Sequence, residues 1–510
     1  MNYLLGIDLG STRCMSIIID ENGNIISNHS IGYPTYSLYT GWSEQNPDDW
    51  WKATVESVKI VVEKSKINSE NIICIGLSGQ MHGLVPVDIN GKVLRNAIIW
   101  DDQRTNVECK EIVEKVGSIN SILKYINNNI HPGYTVSKLL WIKKNESEVY
   151  HKIYKILNPK DYIRFCLTGE YATDVSDASG TGLFDVRNRK WSNELLKILE
   201  IPQEYLPEIY ESSAVTGSLK KEVANVLGLQ NEVPIVAGSG NAVVQLIGMG
   251  LVEAGDIGVA FGTSGRVSVL IDKVIENTTE NLQLFCGNER DQWAFMGVTL
   301  AAIGSYDWFT KHMCRWEEAV SLSRNIDFYQ FLEQNALQSP PGCKNLIFLP
   351  CLIGERCPHT DTYAKGAFIG LTNKHNNNDM LRSTIEGIVY NLKQILEIIM
   401  SLDKTLVCKE IILSGGEVLT DLWYQILSDI FQLTVKKVNI EKVATAYGAA
   451  FLAGVGCNIF RNIKDVKNLI KVEKEFFPNK NYKLIYENLY RIYKSLYPLL
   501  RETNVKLHIL

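Results

Sequence analysis

The chain opens with two strand-like runs joined by a glycine turn. The apolar run at residues 3–7 ends at Asp8-Leu9-Gly10-Ser11-Thr12, and a β-branched run follows at residues 15–19. A second turn at residues 20–24 contains Asn-Gly, which is typical of a β-hairpin, and a return strand starts at Ile25. The glycine turn therefore joins strand to strand. Rossmann and P-loop folds need a helix after their glycines, so this opening argues against both.

A similar element recurs near the middle of the chain. The run at residues 257–261 leads into Gly262-Thr263-Ser264-Gly265, and residues 267–271 are again strand-like. Two such turns half a chain apart suggest internal duplication, with two domains that each open on a strand–turn–strand unit. Chance similarity between two short turns is the competing interpretation, and the turns alone do not decide between the two.

Three later segments have helical patterns. Apolar residues recur at helical spacing over residues 380–400, and small residues suited to close packing dominate residues 443–453. Tyrosines at positions 482, 486, 490, 493 and 497 predict an aromatic stripe on one face of a helix that ends at Pro498. We interpret this stripe as the buried side of a terminal helix docked on the core. Residues 127–129 and 375–379 are polar and predict loops.

Length and composition limit the class of protein. At about 150 residues per domain, the 510 residues amount to two large domains or three small ones. Hydrophobic residues make up 45% and charged residues 21%, which is typical of a globular chain, and a net charge of -5 disfavours a nucleic-acid binder. Eleven scattered cysteines without Cys-x-x-Cys predict reduced cytoplasmic thiols. Neither a signal peptide nor an apolar run of membrane-spanning length is visible, so we expect no membrane partner.

Three glycine turns that follow strand-like runs are candidates for phosphate binding. They are Gly10-Ser11-Thr12, Gly262-Thr263-Ser264-Gly265 and Ser414-Gly415-Gly416-Glu417. Glycine lets backbone N–H groups approach an oxyanion, and hydroxyls add donors without bulk. Each turn alone is also typical of an ordinary hairpin, so the inference depends on all three together. Asp8, beside the first turn, has two interpretations: a ligand of Mg²⁺ near nucleotide phosphates, or a turn cap.

Two polar segments follow other predicted strands. Gln80-Met81-His82-Gly83 comes after residues 72–77, and Trp100-Asp101-Asp102-Gln103-Arg104 comes after residues 96–99. Such residues at strand ends of an α/β protein often line a ligand crevice. A single histidine or an aspartate pair is more often a structural group, and the spacing does not show whether the two segments meet. The histidines and cysteines lack zinc-ligand spacing, and no Gly-x-Ser-x-Gly supports a serine hydrolase.

Two longer motifs make the sequence resemble the FGGY family of carbohydrate kinases. Residues 133–145, Gly-Tyr-Thr-Val-Ser-Lys-Leu-Leu-Trp-Ile-Lys-Lys-Asn, look like the family's first signature. Residues 366–371, Gly-Ala-Phe-Ile-Gly-Leu, followed by 379–380 and 383–386, look like its second. The similarity covers about residues 3–454. Shorter segments resemble the branch of the family that phosphorylates D-xylulose, namely residues 42–47, 79–83, 159–162, 348–350 and 354–359.

The resemblance implies an α/β protein with two actin-like, ribonuclease H-like domains that flank a deep cleft. We place these domains at residues 1–245 and 246–510, the second with a C-terminal helical tail. The implied activity is that of a cytoplasmic kinase that uses ATP and Mg²⁺, and D-xylulose, phosphorylated at its 5-hydroxyl, is the favoured substrate. A kinase for another ketose or a sugar acid stays open, as does a non-catalytic sugar- or nucleotide-binding protein on the same fold. The resemblance is also compatible with a homodimer.

The resemblance carries roles over to individual residues. Asp8 is expected near Mg²⁺ and the phosphates, with Ser11 and Thr12 beside it. The remaining assignments are Gly262 and Thr263 for the nucleotide phosphates, Gly415 and Gly416 for the adenosine, and Gln80, Met81, His82 and Asp101 for the sugar.

One catalytic position departs from the family pattern. The family's general-base aspartate lies in a glycine-rich stretch after a strand, here residues 236–242 (Val-Ala-Gly-Ser-Gly-Asn-Ala), and Asn241 occupies its place. An amide cannot take a hydroxyl proton, although it can orient the hydroxyl. General-base help is worth about 10²–10⁴-fold, so we expect impaired turnover with sugar and nucleotide binding retained. An introduced substitution, natural loss of activity and a shifted alignment are three explanations, of which the glycine spacing disfavours the third.

Overall fold

The computed structural model describes residues 1–230, 232–416 and 418–509, and the chain divides into two units. The first unit contains Met1–Glu253, Ile271–Ala294 and Val443–Ile470, and the second contains Ala254–Leu270, Phe295–Lys442 and Lys471–Leu510. The boundary expected between residues 245 and 246 stays a prediction. In the described part of the chain, no helix combines the length and the apolar character needed to cross a bilayer.

The strands and helices are numbered in chain order. The strands are β1 (Tyr3–Leu9), β2 (Arg13–Asp20), β3 (Ile25–Gly32), β4 (Glu44–Gln45), β5 (Ile72–Gly79), β6 (Val85–Val87), β7 (Ala97–Ile98), β8 (Lys155–Leu157), β9 (Ala172–Asp174), β10 (Phe184–Asp185), β11 (Lys190–Trp191), β12 (Glu208–Tyr210), β13 (Val215–Ser218), β14 (Pro234–Val236), β15 (Ser239–Gly240), β16 (Ile257–Phe261), β17 (Gly265–Ile271), β18 (Gln283–Cys286), β19 (Trp293–Thr299), β20 (Ile347–Leu349), β21 (Ala367–Ile369), β22 (Glu410–Ser414), β23 (Thr434–Val438) and β24 (Val472–Phe476). The α-helices are α1 (Pro47–Ser65), α2 (Asn106–Val116), α3 (Ile119–Ile126), α4 (Thr135–Asn145), α5 (Ser147–Tyr150), α6 (Pro159–Thr168), α7 (Val175–Ser179), α8 (Asn193–Leu199), α9 (Lys221–Leu227), α10 (Asn241–Gly248), α11 (Ile303–Met313), α12 (Arg315–Arg324), α13 (Phe328–Leu337), α14 (Asn377–Leu402), α15 (Asp421–Phe431), α16 (Ala444–Gly456) and α17 (Lys483–Ile509).

The main sheet of the first unit is built around β1. This strand pairs antiparallel with β2 and parallel with β5, and the strand order is β13-β14-β5-β1-β2-β3, with β15 also paired to β5. The predicted strand–turn–strand opening is therefore confirmed. β1 and most of β2 are buried on both faces, which explains why their sequences are apolar runs rather than alternating patterns.

Helix α16 packs closely against β1 and β5 through glycines. A Cβ atom on Gly6 would lie 2.1 Å from the carbonyl oxygen of Ala446, and one on Gly76 would lie 1.8 Å from that of Ala449. These distances leave no room for a side chain, so the helix can approach only over glycine. The predicted helix of small, closely packed residues at 443–453 is confirmed.

The sheet of the second unit repeats the topology of the first. Its strands are ordered β24-β23-β22-β16-β17-β19. β16 pairs antiparallel with β17 and parallel with β22, β22 pairs parallel with β23, and β23 pairs antiparallel with β24. The same succession of pairings runs from β2 through β1, β5 and β14 to β13. This match favours internal duplication over chance similarity of two turns.

Helix α14 begins earlier than its apolar spacing predicts. The side chain of Asn376 accepts a hydrogen bond from the backbone N–H of Asp379, and the Asp379 carboxylate accepts one from the N–H of Asn376. This capping box starts the helix at Asn377, so the predicted loop at residues 375–379 is wrong beyond residue 376.

The C-terminal helix is longer than predicted. α17 contains Pro498 in its interior, so the prediction that the helix ends there is wrong. Proline removes one backbone donor, yet the neighbouring Tyr497 stacks on His359 with ring centroids 3.7 Å apart and donates a 2.7 Å hydrogen bond to Asp361. Packing of the adjacent residue therefore supports the helix across the proline.

The central tyrosines of the predicted stripe lie on the buried face of this helix, whereas Tyr482 precedes α17. Tyr486, Tyr490 and Tyr493 are buried, and the ring of Tyr390 on α14 lies 5.7 Å from that of Tyr490 and 5.3 Å from that of Tyr493. The Tyr486 hydroxyl donates a 2.9 Å hydrogen bond to Glu386. The interpretation of the tail as a helix docked on the core is confirmed.

Candidate active site

The carboxyl ends of β1, β5 and β15 lie side by side in the first unit. The register pairs Asp8 with Ser78 and Ser239 with the same Ser78. Gln80 directly follows β5, and Asn241 directly follows β15. Because parallel strands end at a common edge of the sheet, the structure brings together three candidate segments that are far apart in sequence.

Asp8 is a fixed and desolvated carboxylate. Ser78 Oγ donates to its Oδ1 at 2.8 Å, and Thr445 Oγ1 donates to its Oδ2 at 2.7 Å. Burial raises the pKa of Asp8, and the two hydroxyl donors partly offset that shift. The turn itself is closed by its backbone, from the N–H of Gly10 to the carbonyl of Arg13 at 3.0 Å. Other elements, rather than the turn, therefore hold the Asp8 side chain.

The surroundings of Asp8 fit a magnesium ion bound mainly through phosphate and water. Each carboxylate oxygen accepts one of the two hydroxyl bonds and retains further lone pairs. Across residues 1–230, 232–416 and 418–509, no group of three or more His, Cys, Asp or Glu side chains could hold a metal alone. Mg²⁺ is commonly bound by one or two carboxylates together with substrate phosphates and water, and Asp8 suits that mode.

The first glycine turn is tied to the second polar segment. The indole N–H of Trp100 donates to Ser11 Oγ at 2.9 Å, and the Gln45 side chain donates to the Ser11 carbonyl at 2.7 Å. Thr12 is exposed, and its carbonyl accepts from the N–H of Tyr33 at 3.1 Å. Trp100 thereby links the turn to the strand end that carries Asp101.

Gln80 and Met81 directly follow β5 at this edge of the sheet. Gln80 is buried and donates from Nε2 to Gln45 Oε1 at 2.8 Å. Met81 packs on Gly240, where an added Cβ would lie only 2.7 Å from the Met81 sulfur. Met81 therefore contacts the residue that immediately precedes Asn241.

His82 is held in an unusual backbone conformation. Its φ is +69°, in the left-handed region, and its carbonyl accepts a 2.9 Å hydrogen bond from Lys138 Nζ. The imidazole stacks on Tyr134 with ring centroids 4.7 Å apart, and Nδ1 lies 2.7 Å from the carbonyl oxygen of Gly180. A carbonyl can only accept, so Nδ1 is the protonated ring nitrogen in this contact. The His82 ring is thus oriented from two sides.

The two predicted polar segments lie close together, linked through the residues that flank them. The N–H of Leu84 donates to the carbonyl of Ile98 at 3.0 Å. Lys138 also donates to the carbonyl of Gly133 at 2.7 Å, and a Cβ on Gly133 would lie 2.4 Å from the carbonyl oxygen of Trp100. The first family-like signature therefore packs between the segment of His82 and the segment of Trp100.

The two aspartates of the second polar segment, Asp101 and Asp102, have different surroundings. Asp102 is fully buried, accepts from the N–H of Ser43 at 2.6 Å and pairs with Arg104 at 2.7 Å. Asp101 is exposed. The structural interpretation applies to Asp102, whereas Asp101 stays a candidate for sugar binding.

Asn241 is the first residue of α10 and is partly exposed. The preceding Gly240 donates its N–H to Ser176 Oγ at 2.9 Å. Asn241 therefore stands at the start of a helix, at the same sheet edge as Asp8.

Two glycine turns of the second unit also lie at neighbouring strand ends. Gly262 follows β16 and Gly415 follows β22, two parallel strands in which Ala260 pairs with Ser414. The carbonyl of Thr263 accepts from the N–H groups of Ala302 and Gly304 at 2.9 and 3.0 Å, which anchors that turn to the start of α11. Among the described residues other than its chain neighbours, a Cβ on Gly416 would meet no atom within 4 Å. Glu417, the last residue of the predicted turn, lies outside the described residues.

Sequence reasoning did not identify Thr445, Lys138 or Ser176 as supporting residues. Lys138 lies within the first family-like signature, so that motif was an available signal. Thr445 and Ser176 reach the sheet edge only through long-range contacts with Asp8 and Gly240, for which no local pattern gives a signal.

Known proteins resemble this chain over nearly its whole length. Residues 3–248 match the N-terminal domain, and residues 258–457 the C-terminal domain, of the FGGY family of carbohydrate kinases. Xylulose kinase of Bacillus subtilis strain 168 is 34% identical over 508 residues, which cover 99% of each chain. Gluconokinase of the same organism is 30% identical over 436 residues, 85% of this chain and 84% of that protein. The crystal structure of ligand-bound xylulose kinase from Lactobacillus acidophilus superposes with a TM-score of 0.90 at 27% identity, covering 99% of this chain and 100% of that one.

Proposed function

The chain belongs to the FGGY family of carbohydrate kinases, and from this premise we propose that it phosphorylates a ketopentose, D-xylulose at its 5-hydroxyl. Sugar kinases of this family use ATP, generally with Mg²⁺. The observation that carries the proposal is the shared sheet edge at which Asp8, near the end of β1, lies beside Gln80 and Asn241, which directly follow β5 and β15. Similarity to xylulose kinase supports the choice of sugar. Similarity to gluconokinase makes a sugar acid the second candidate substrate.

In the proposed reaction, the first unit binds the sugar and the phosphoryl group. Gln80, Met81, His82 and Asp101 are assigned to the sugar. Phosphoryl transfer depends mainly on positioning and on neutralising charge rather than on covalent chemistry by the protein. The fixed positions of His82 and Asp8, each held by hydrogen bonds from other elements, support these roles.

The phosphates of ATP are assigned to glycine turns. In the first unit, Ser11 and Thr12 are assigned to the phosphates beside Asp8. In the second unit, Gly262 and Thr263 are assigned to the nucleotide phosphates, and Gly415 and Gly416 to the adenosine. Asp8 would hold Mg²⁺, which when bound neutralises phosphate charge. The anchored backbone of Thr263 supports the assignment of that turn.

Asn241 is assigned the orientation of the reacting hydroxyl. Its amide oxygen can accept a hydrogen bond from that hydroxyl but cannot remove the proton, so the proton leaves without help from this side chain. We therefore expect turnover below that of an aspartate-containing site by about 10²–10⁴-fold, with binding of sugar and nucleotide retained.

The test is ADP release with a panel of ketopentoses, ketohexoses and gluconate, for the chain with Asn241 and for Asn241→Asp. We expect D-xylulose to give the highest kcat/KM and the aspartate variant to raise kcat by about 10²-fold or more. Asn90→Asp, an exposed turn residue, is the matched control and should change nothing. A higher kcat/KM for gluconate than for D-xylulose would show that the substrate is a sugar acid rather than a ketopentose. Inactivity of both chains with sugar binding intact in calorimetry would favour a binding protein. Brisk turnover of the chain with Asn241 would contradict the role assigned to that residue.

A further inference from the structure

A fully buried ionic cluster lies behind the sheet edge of the first unit. Lys160 Nζ is 2.6 Å from Asp161, 3.1 Å from Asp174 and 3.6 Å from Asp177, and none of these side chains is more than 1% exposed. Such clusters add little stability relative to apolar packing, because desolvating each charge costs several kcal/mol. A Cβ atom added to Gly79, the last residue of β5, would lie 3.0 Å from the Cβ atom of Lys160. The cluster therefore packs against the end of β5, next to the candidate site, but its residues are not among the candidate site residues.

Ser176 connects this cluster to the backbone before position 241. Asp174 Oδ2 accepts hydrogen bonds from both the N–H and the hydroxyl of Ser176. A serine hydroxyl has one proton, so Ser176 Oγ, having donated it to Asp174, faces Gly240 as an acceptor. The N–H of Gly240 donates to that oxygen at 2.9 Å. Lys160, Asp174, Ser176 and Gly240 thus form one continuous chain of polar contacts.

The same short helix also orients the sugar-facing segment. Ser176 lies in α7, and Gly180, which ends α7, accepts the 2.7 Å hydrogen bond from His82 Nδ1. Gly240 is confined from its other side by Met81, which an added Cβ would contact at 2.7 Å. One buried element therefore holds both the peptide that precedes Asn241 and the ring of His82.

We propose that Ser176, aligned by Asp174 and Lys160, is a positioning residue that fixes the side chain at position 241 relative to the sugar. This inference rests on the proposed function, because it assigns Ser176 a role in presenting the reacting hydroxyl. Misplacement of a reacting group by about 1 Å can reduce the rate by about 100-fold, so a single anchoring bond to Gly240 is sufficient to affect kcat. A purely structural Ser176 would instead lower stability without a specific effect on position 241.

Ser212 offers a matched control for Ser176. Its hydroxyl donates to the same Asp174 oxygen at 3.3 Å, and both serines are fully buried. Of these two serines, Ser176 is the one whose hydroxyl oxygen accepts from the N–H of Gly240. Ser176→Ala and Ser212→Ala therefore remove the same chemical group from the same acceptor, and only the first releases Gly240.

The experiment compares both variants in the chain with Asn241 and in Asn241→Asp. Hydrogen exchange of residues 238–242, measured by mass spectrometry without substrate, should accelerate about tenfold in Ser176→Ala and stay unchanged in Ser212→Ala. In the Asn241→Asp background, Ser176→Ala should lower kcat by about 10- to 100-fold with the KM for sugar changed less than about threefold. The drop should be smaller when residue 241 is asparagine, because no proton acceptor is then displaced.

The outcomes separate this inference from the proposed function. Equal kcat losses with asparagine and with aspartate at position 241, or an equal loss in Ser212→Ala, would overturn the positioning role. If no chain phosphorylates any sugar, the proposed function fails, and hydrogen exchange alone tests the inference. Unchanged exchange of residues 238–242 in Ser176→Ala would overturn it, and faster exchange would support the hydrogen bond from Gly240 to Ser176 as the anchor. If Ser176→Ala does not fold, Ser176→Cys, which keeps the shape but is a weak acceptor, is judged by the same outcomes.

Discussion

Thr445 donates a 2.7 Å hydrogen bond to Asp8 across 437 residues of sequence. The hydroxyl comes from α16, which returns to the first unit from the late part of the chain and packs on β1 through Gly6. Ser78 supplies the other hydroxyl donor from the neighbouring strand β5. The surroundings of the proposed Mg²⁺ ligand are therefore complete only when a helix near the end of the sequence has docked on the first strand.

Replacing Thr445 by valine should destabilise the first unit. The substitution keeps the shape of the side chain but leaves a buried carboxylate oxygen without its donor, at a cost of about 1–3 kcal/mol. Thr384→Val is the control, because that buried hydroxyl bonds only the Met380 carbonyl of its own helix in the described contacts. Urea unfolding of both variants checks the prediction. Equal losses in the free energy of unfolding would show that the hydrogen bond to Asp8 contributes no more than the hydrogen bond of Thr384 within its own helix.

Adding a methyl group at Gly76 should prevent α16 from docking. The new Cβ would lie 1.8 Å from the carbonyl oxygen of Ala449, and neither backbone can move without disturbing the sheet. We expect Gly76→Ala to cost about 3 kcal/mol or more, at or above the usual range for overpacked cores. Gly32→Ala is the control, since its nearest atom would be 3.7 Å away. Thermal unfolding of the two variants measures the difference, and similar melting temperatures would argue against close packing at Gly76.

Local patterns predicted much of the fold, because hairpins and amphipathic helices are encoded by neighbouring residues. The Asn-Gly hairpin, the strand ends before Gln80 and Gly262, and the helices α14, α16 and α17 all follow from such patterns. Pro498 misled the prediction because its cost is offset by contacts of Tyr497 with residues far away in sequence. The start of α14 was missed because the capping residues Asn376 and Asp379 are polar and suggest a loop when their mutual bonds are unknown.

The candidate site was predictable as separate turns but not as an assembly. Motifs identified Asp8, Gln80 and Asn241 individually. Their common sheet edge depends on the register of β5 with both β1 and β15, which pairs Ser78 with Asp8, 70 positions away, and with Ser239, 161 positions away, and leaves no trace in local sequence. Supporting hydroxyls such as Ser176 are equally invisible, since serine is common in every kind of segment.

Replacing Asp177 by asparagine should stabilise the protein at neutral pH. Burial raises the pKa of Asp177 well above its usual value, despite the opposing charge of Lys160. The folded state therefore holds this proton more tightly than the unfolded state, and stability falls as pH rises above the unfolded pKa near 3.8. An asparagine amide is uncharged, like the protonated acid, and does not titrate, so it removes this loss of stability at higher pH. Melting temperatures should show a gain for Asp177→Asn at pH 7.5 that shrinks at pH 5, and a gain that does not depend on pH would contradict the shifted pKa.

Replacing Lys138 by methionine should weaken sugar binding. Lys138 is fully buried, its pKa is lowered by burial to about 7, and it donates to the carbonyls of His82 and Gly133. Loss of both bonds frees the left-handed backbone at His82, so we expect the KM for sugar to rise about tenfold, equivalent to about 1.4 kcal/mol. Lys143→Met, on the solvent side of the same helix, is the control. Calorimetry should show ADP affinity unchanged in both variants, and a parallel loss of ADP and sugar binding would indicate general unfolding instead.

Asp8→Asn should impair use of Mg-ATP while sparing the sugar. The amide has the shape of the carboxylate and can still accept the hydroxyl bond of Ser78 or Thr445, so the strand end keeps its structure, but the negative charge that suits Mg²⁺ is lost. We expect kcat/KM for Mg-ATP to fall by about 100-fold, since metal neutralisation of phosphate charge is worth several kcal/mol. The dissociation constant for sugar, measured by calorimetry without nucleotide, should change less than about threefold. A collapse of sugar affinity with Mg-ATP binding unchanged would place Asp8 at the sugar rather than at the phosphates, because the lost charge would then have been needed by a sugar hydroxyl.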